Sequence, residues 1–441
     1  MTASPARCAR WISGFSRIAA LLPLALVVPW IAACQNLPNR AFRDEPTWKR
    51  HPGFVLGIAY SRDLTADSRR KGEPYEKGQP EIDAGGKRVF VGSSDAGLYA
   101  LAAETGRTLW RFETLSFVES RPYYEPRQNV VYFGSHDGAL YKVNADSGAL
   151  LWRIATNAEV QRQPIVHQGK VYFTNANDTL IAADDKTGAV AWSQHRAPAM
   201  GMEVAGHAGP TLSQGLVYVG FSDGIATAFD AKTGEERWRR VDLAADAEDA
   251  LGETPAYLDV DTTPIALDLT TGPAIVFGHY LGGITALDAE LGTLLWSNPL
   301  TSGVSDLLLW EEPSRIVDGK ESVGRRLLIV STGMTGLWAL DPETGQEVWR
   351  RNLPRGGVSR PAAASGLLLF GASQLGVYAV SPVDGSLVDG IHLDLGVSAA
   401  PNALGRHAFI MTNGGDFWAL NIDAPSADFS GLPNYRGPTT W

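Results

Sequence analysis

Apolar residues along this chain fall in short runs broken by tight-turn signals, not at helical spacing. One stretch shows the pattern in full. Val130-Val131-Tyr132-Phe133-Gly134 and Ala139-Leu140-Tyr141-Lys142-Val143 flank Asp137-Gly138; Asp146-Ser147-Gly148 then leads into Leu150-Leu151-Trp152-Arg153. Runs this short, rich in β-branched and aromatic residues, predict strands, and Asp-Gly predicts a hairpin turn. Arg121-Pro122-Tyr123-Tyr124 opens an inner strand, since proline is tolerated at a strand start. Together these make one unit of four antiparallel strands.

The unit recurs from end to end. A strand of the Leu-Tyr-Ala-Leu type is found eight times, at 98–101, 140–143, 180–183, 226–229, 284–287, 337–340, 377–380 and 417–420. A turn glycine follows as Gly106, Gly148, Gly188, Gly234, Gly292 and Gly345, each with a tryptophan four residues on: Trp110, Trp152, Trp192, Trp238, Trp296 and Trp349. Gly385 continues the series. The inner-strand proline recurs as Pro80, Pro122, Pro164, Pro210, Pro264, Pro361 and Pro401, and only the sixth unit, around Asp306–Leu309, lacks it. A repeat of roughly 40–45 residues with four strands each predicts propeller blades. The fold class expected is therefore all-β, an eight-bladed β-propeller of four-stranded antiparallel blades. The last unit has no outer strand after Leu420. Thr47-Trp48-Lys49-Arg50 resembles the outer strands elsewhere and is expected to complete the eighth blade, which removes the open edge of a linear array. Residues Arg62–Gly78 then read as a charged crossing loop. Six identical tryptophan placements point to rings docked on the neighbouring blade, not to a ligand cage.

Blades share one ring and cannot fold separately, so the repeat overrides the two or three domains that 441 residues would allow. Residues 46–422 form the propeller, with 423–441 as a polar tail. Residues 1–33 read as an export signal: Arg7, Arg10 and Arg17 precede the apolar stretch Ile18–Trp30, which is short for a membrane span. Ile31-Ala32-Ala33-Cys34 matches a lipobox, making Cys34 the lipidated residue, with 34–45 as a tether. Gln35 after the cysteine implies outer-membrane sorting, as in the bacterial lipoproteins this leader resembles. Cys8 lies in the leader, so no disulfide forms within the mature chain. The net charge of −10 becomes −13 once the leader arginines are removed. No basic cluster with interleaved aromatics occurs, which argues against a nucleic-acid partner.

Candidate chemistry is sparse. Gly220-Phe221-Ser222-Asp223-Gly224 matches a nucleophile elbow, but that motif needs a strand-to-helix turn. Here it sits between strands, and Gly92-Ser93-Ser94-Asp95 and Gly134-Ser135-His136-Asp137-Gly138 repeat it. It reads as hairpin chemistry. The eight histidines show no metal-ligand spacing, and Gly319-Lys320 lacks a phosphate-loop framework. The longest insertion, Asp242–Asp261, is acidic but lacks the alternating oxygen ligands and central glycine of a calcium loop. It is a solvated loop or a docking surface. No catalytic residue, metal or cofactor is expected.

Ala228-Phe229-Asp230-Ala231-Lys232-Thr233-Gly234 through Trp238 resembles the repeat shared by quinoprotein alcohol dehydrogenases and the BamB family of outer-membrane assembly lipoproteins. Leu258-Asp259-Val260-Asp261-Thr262-Thr263-Pro264 looks like the BamB Asp-Val-Asp-Thr-Thr-Pro segment, and Gly303-Val304-Ser305-Asp306 is similar to its Gly-Ser-Val-Asn-Asp stretch. The resemblance covers Trp48–Asn421. It implies a scaffold docking the periplasmic domains of the barrel insertase BamA, with extended client chains as further partners at a blade edge. Docking would use Asp259 and Asp261 together with a loop that aligns with Met202-Glu203-Val204-Ala205. Met202 and Val204 keep the loop's apolar character; Ala205 stands where the family has arginine. A local alternative for the two aspartates is satisfaction of backbone amides at a turn and strand start. The quinoproteins resemble one another in a vicinal cysteine pair, which this sequence lacks; a quinone-dependent dehydrogenase, or a ligand-binding lipoprotein of another envelope complex, is the alternative class.

Overall fold

The computed structural model describes residues 55–64, 76–197, 207–238, 241–243, 259–280, 282–312, 315–317, 320–322, 324–393 and 395–422. Eight four-stranded antiparallel sheets follow one another along the chain. In the second blade the strands are Tyr123–Glu125, Val130–Ser135, Ala139–Asn144 and Leu150–Ala155. The two middle strands are almost entirely buried, whereas Leu150–Ala155 alternates exposed and buried positions. This follows from position: a middle strand is paired on both edges and covered by adjacent blades, whereas the outer strand is paired on one edge only. The sixth blade carries a hairpin, Arg315–Val317 with Lys320–Ser322, between its first two strands.

The ring closes with a strand from the N-terminal side, but not the one expected. Leu56–Asp63 pairs antiparallel with Asp416–Ile422 and completes the eighth blade. Thr47–Arg50, expected in that role, lies outside the described residues, as do the leader with Cys34, the tether, Met202, Val204 and the tail from 423. Arg62 and Asp63, expected in a crossing loop, belong to the closing strand.

Each outer-strand tryptophan docks on the following blade. Trp110 lies against Gly148, Trp152 against Gly188, and Trp349 against Gly385, so close that an added Cβ would meet the indole at 2.8, 3.1 and 2.5 Å. These turn glycines have φ near +70°, a conformation other residues rarely adopt. Each indole Nε1 also donates to a carbonyl in that turn, for example Trp110 to Ala145 at 3.0 Å and Trp349 to Pro382 at 2.8 Å.

The two seams around the closing strand depart from the rule in complementary ways. Tyr60 pairs with Ala419, the register position of the tryptophans, and its hydroxyl donates to Ala103 O at 2.8 Å over Gly106. Tyr60 thus does the work expected of Trp48. In blade seven the tryptophan position is Asp389, four residues after Gly385. The eighth blade offers it no continuous turn, because the chain is interrupted there. Asp389 instead accepts the backbone N–H groups of Val55 and Leu56, both at 2.8 Å. Asp389→Ala leaves two buried donors unsatisfied and should cost about 1–3 kcal/mol. Asp389→Asn, which keeps an acceptor, should lose less; urea unfolding of the two variants checks the order.

Candidate functional site

Where the chain runs from one blade to the next, a short motif recurs, and the Asp-Val-Asp-Thr-Thr-Pro segment is one copy. Val260 is buried and wedges over Gly220, whose added Cβ would lie 2.3 Å from Val260 Cγ1. Val118 over Gly92, Val160 over Gly134 and Val397 over Gly371 repeat this contact. Thr262 Oγ1 clasps Gly278, accepting from its N–H at 2.9 Å and donating to its carbonyl at 3.1 Å. Ser120 does the same to Gly134. Val260, Thr262 and Pro264 therefore serve the propeller; other copies carry one acid beside the valine, Glu119 or Glu159, and this segment carries two, Asp259 and Asp261.

Both aspartates are buried, at 3% and 7% exposure. The carbonyl of Asp259 accepts from Tyr280 N–H at 3.4 Å, and that of Asp261 accepts from Arg162 Nη2 at 2.6 Å. The Oδ1 of Asp261 has no hydrogen-bond partner. Burial pushes its carboxyl up to about 7; the Arg162 charge opposes this, and Asp259 and Asp306 add to it. Arg162 also donates to His207 O. One guanidinium thus ties this segment to the residue that follows 198–206, the stretch holding Met202 and Val204. Asp306, from the Gly303–Asp306 stretch, joins the same acidic group, and burial raises its carboxyl too, against Arg162, Arg360 and Arg121.

Ser222 lies in the turn between strands Leu216–Gly220 and Ile225–Asp230, not at a strand-to-helix elbow. It is buried, and its hydroxyl and N–H both donate to the Asp178 carboxylate. His207 Nδ1 lies beyond that carboxylate, 3.9 Å from Asp178 Oδ1. Ser94 donates to Glu76 in the same manner in the first blade, so the arrangement is a repeated hairpin anchor. Among the described residues no group of His, Cys, Asp or Glu side chains could hold a metal ion.

Residues from seven blades converge on a cavity of about 280 Å³ on the ring axis. Gln79, Arg121, Gln163, Thr263 and Arg360 line it, each the residue immediately before an inner-strand proline or its equivalent. Arg162 and Asp306 complete its polar wall. Sequence reasoning missed this ring of side chains, although the recurring proline marks the position.

The sheets and their closure by Leu56–Asp63 define the class: a closed eight-bladed β-propeller. The family profile of the outer membrane protein assembly factor BamB matches residues 64–128, 125–309 and 281–427. The chain belongs to the BamB family. It is 26% identical over 232 residues to BamB of Legionella pneumophila, spanning 52% of this chain and 54% of that one, and so about half of that relative's length. It is 25% identical over 343 residues to BamB of Yersinia pestis, spanning 77% of this chain and 70% of that one. Quinohemoprotein alcohol dehydrogenase of Comamonas testosteroni is 30% identical over 185 residues, 42% of this chain but 24% of its own length. The crystal structure of BamB from Moraxella catarrhalis has the same fold, with a TM-score of 0.64 at 18% identity, covering 83% of this chain and all of that one.

Proposed function

We propose that this protein is a non-catalytic scaffold of outer-membrane protein assembly. It is anchored by lipid at Cys34 on the periplasmic face of the outer membrane and docks the periplasmic domains of the barrel insertase BamA. The family supplies the assembly role. The observation that carries the docking site is Asp261, a buried carboxyl with an unsatisfied oxygen in a segment where the propeller itself needs only Val260, Thr262 and Pro264. A group whose ionisation is opposed by its surroundings is a mark of a functional position. The docking surface would comprise the Asp259–Asp261 segment and the loop with Met202 and Val204. With the carboxylates buried, they shape this surface more than they touch the partner. Exposed apolar residues on the outer strands, such as Leu150, Leu151, Val190 and Leu294, suit extended clients held by strand addition.

The quinone-dependent alternative fits the residues poorly. The only cysteines are Cys8 and Cys34, so no vicinal pair can cover a quinone in the ring.

The test is photo-crosslinking in the native cell. Val260 is buried, so the photoreactive phenylalanine analogue belongs at Tyr280, half-buried beside Asp259. An adduct with the BamA periplasmic domains is expected from Tyr280 and not from Thr105, which lies at a turn on the opposite end of the blades. Absence of that adduct from a folded, correctly localised protein would overturn the docking site.

A further inference from the structure

We propose that the axial cavity is a binding site for a small anion bearing a carboxylate or phosphate group, held between Arg162 and Arg360. The argument starts from donors. A guanidinium has five N–H groups and no acceptor. Of the three arginines on the wall, only Arg121 is in an ion pair, through Nε at 3.0 Å and Nη2 at 2.9 Å to Glu81. Arg162 spends two donors on the carbonyls of His207 and Asp261. Arg360 spends one, from Nε to Leu307 O at 3.2 Å. Neither forms an ion pair among the described residues, and both are half-buried at the cavity with donors left over.

The carboxylates do not fill the gap. Asp306 is the acid on the cavity wall, and it lies beyond ion-pair distance of either arginine. Asp261 stands behind Arg162 and presents its carbonyl. Arg360 is further crowded: after burial, the charge of Arg121 is what most lowers its affinity for its proton, against Asp306 and Glu81. Arg162 and Arg360 thus keep unspent donors at the centre, and Asp306 opposes an added negative charge there. An anion between the two arginines would take paired charge-assisted hydrogen bonds. The remaining wall is mixed, with Gln79, Gln163 and Thr263 beside apolar Ile165, Pro264 and Leu307. At about 280 Å³ the space lies just below the usual range for small-molecule pockets, roughly 300–1,000 Å³, so the ligand is small.

Two probes separate the sources of such an anion: succinate for organic acids and inorganic phosphate for phosphate groups. Each is titrated calorimetrically into the intact mature protein at constant ionic strength. At least one should bind at a single saturable site with Kd at or below about 1 mM, and the tighter probe identifies the source. Arg360→Gln should weaken it about tenfold or more. Asp306→Asn removes the opposing charge and should tighten it severalfold, and this variant decides the matter if Arg360→Gln fails to fold. No saturable binding of either probe up to about 10 mM, or binding that Asp306→Asn leaves unchanged or weakens, would overturn the site. The inference does not rest on the docking role.

Discussion

Replacing Lys142 with alanine should destabilise the ring by about 3–5 kcal/mol, and removing Asp185 as well should return most of that loss. Lys142 and Asp185 are each 3% exposed, at the interface of the second and third blades. Lys142 Nζ donates to Asp185 Oδ1 at 3.0 Å, to Asp185 O at 2.8 Å and to Gln128 Oε1 at 2.9 Å. It also lies 5.1 Å from the centre of the Tyr132 ring. Tyr132 and Gln128 donate to the same carboxylate. Burial works against the Asp185 charge, but the hydrogen bonds from Tyr132, Gln128 and Lys142 outweigh it and hold the carboxyl below its usual value.

The repeat explains why the double variant should recover. Elsewhere the position of Lys142 is alanine, as at Ala100, Ala182 and Ala286, and the position of Asp185 is alanine in Ala103, Ala145 and Ala231. The blade interface therefore closes without charge at either place. Lys142→Ala alone strands a buried carboxylate; the double variant restores the arrangement of the neighbouring blades. Because the Asp185 carboxyl titrates below its unfolded value, the pair's contribution is present at neutral pH and fades as pH falls through the folded value. The single-variant penalty should shrink in acid. Urea unfolding of the four proteins of the cycle, at neutral and acid pH, gives the coupling directly. A double variant no more stable than Lys142→Ala would show that packing, not charge, holds this interface.

The repeat was legible because propeller interfaces are made of short-range rules: a glycine at positive φ, a tryptophan four residues on, and a proline at the inner strand. Those rules gave all eight blades. They misplaced the closing strand because Trp48 satisfies the composition of an outer strand, whereas Tyr60 satisfies its geometry: a ring over Gly106 and a donor to Ala103 O. The phenol and the indole do one job, and a pattern keyed to tryptophan passes over it. Asp389 was hidden for the opposite reason. It occupies a tryptophan register position but meets the start of the closing strand, Val55 and Leu56, so its chemistry depends on a pairing more than 330 residues apart in sequence. The candidate site was legible in part. Asp259 and Asp261 were marked by the resemblance of their segment to the family's, yet their burial and their meeting with Arg162 and Asp306 span 99 residues of chain between Arg162 and Asp261 and have no local signature.

Asp261→Asn should stabilise the protein at pH 8 by roughly 2–4 kcal/mol while weakening its docking. The sign follows from the direction of the shift. The folded carboxyl titrates at about 7, against a usual 3.8. Below about pH 4 both folded and unfolded chains hold the proton, and the residue costs nothing. Between the two values the unfolded chain loses the proton more readily, so folding is penalised increasingly as pH rises. Above about 7 the penalty is complete. Asparagine keeps the shape without the charge, so the variant's advantage should grow from near zero at pH 4 to its full size at pH 8. Urea midpoints across that range measure it. Ring closure does not require an acid here, since the matching positions hold Ser305 and Gln161 in two blades, although Glu119 in a third. Retaining the acid trades stability for the docking surface. The decisive combination is a protein that is more stable at pH 8 and yields less insertase adduct from Tyr280. If Asp261→Asn instead lowered stability at pH 8, the ionised carboxylate would have a stabilising partner, and the segment would be an ordinary part of the propeller.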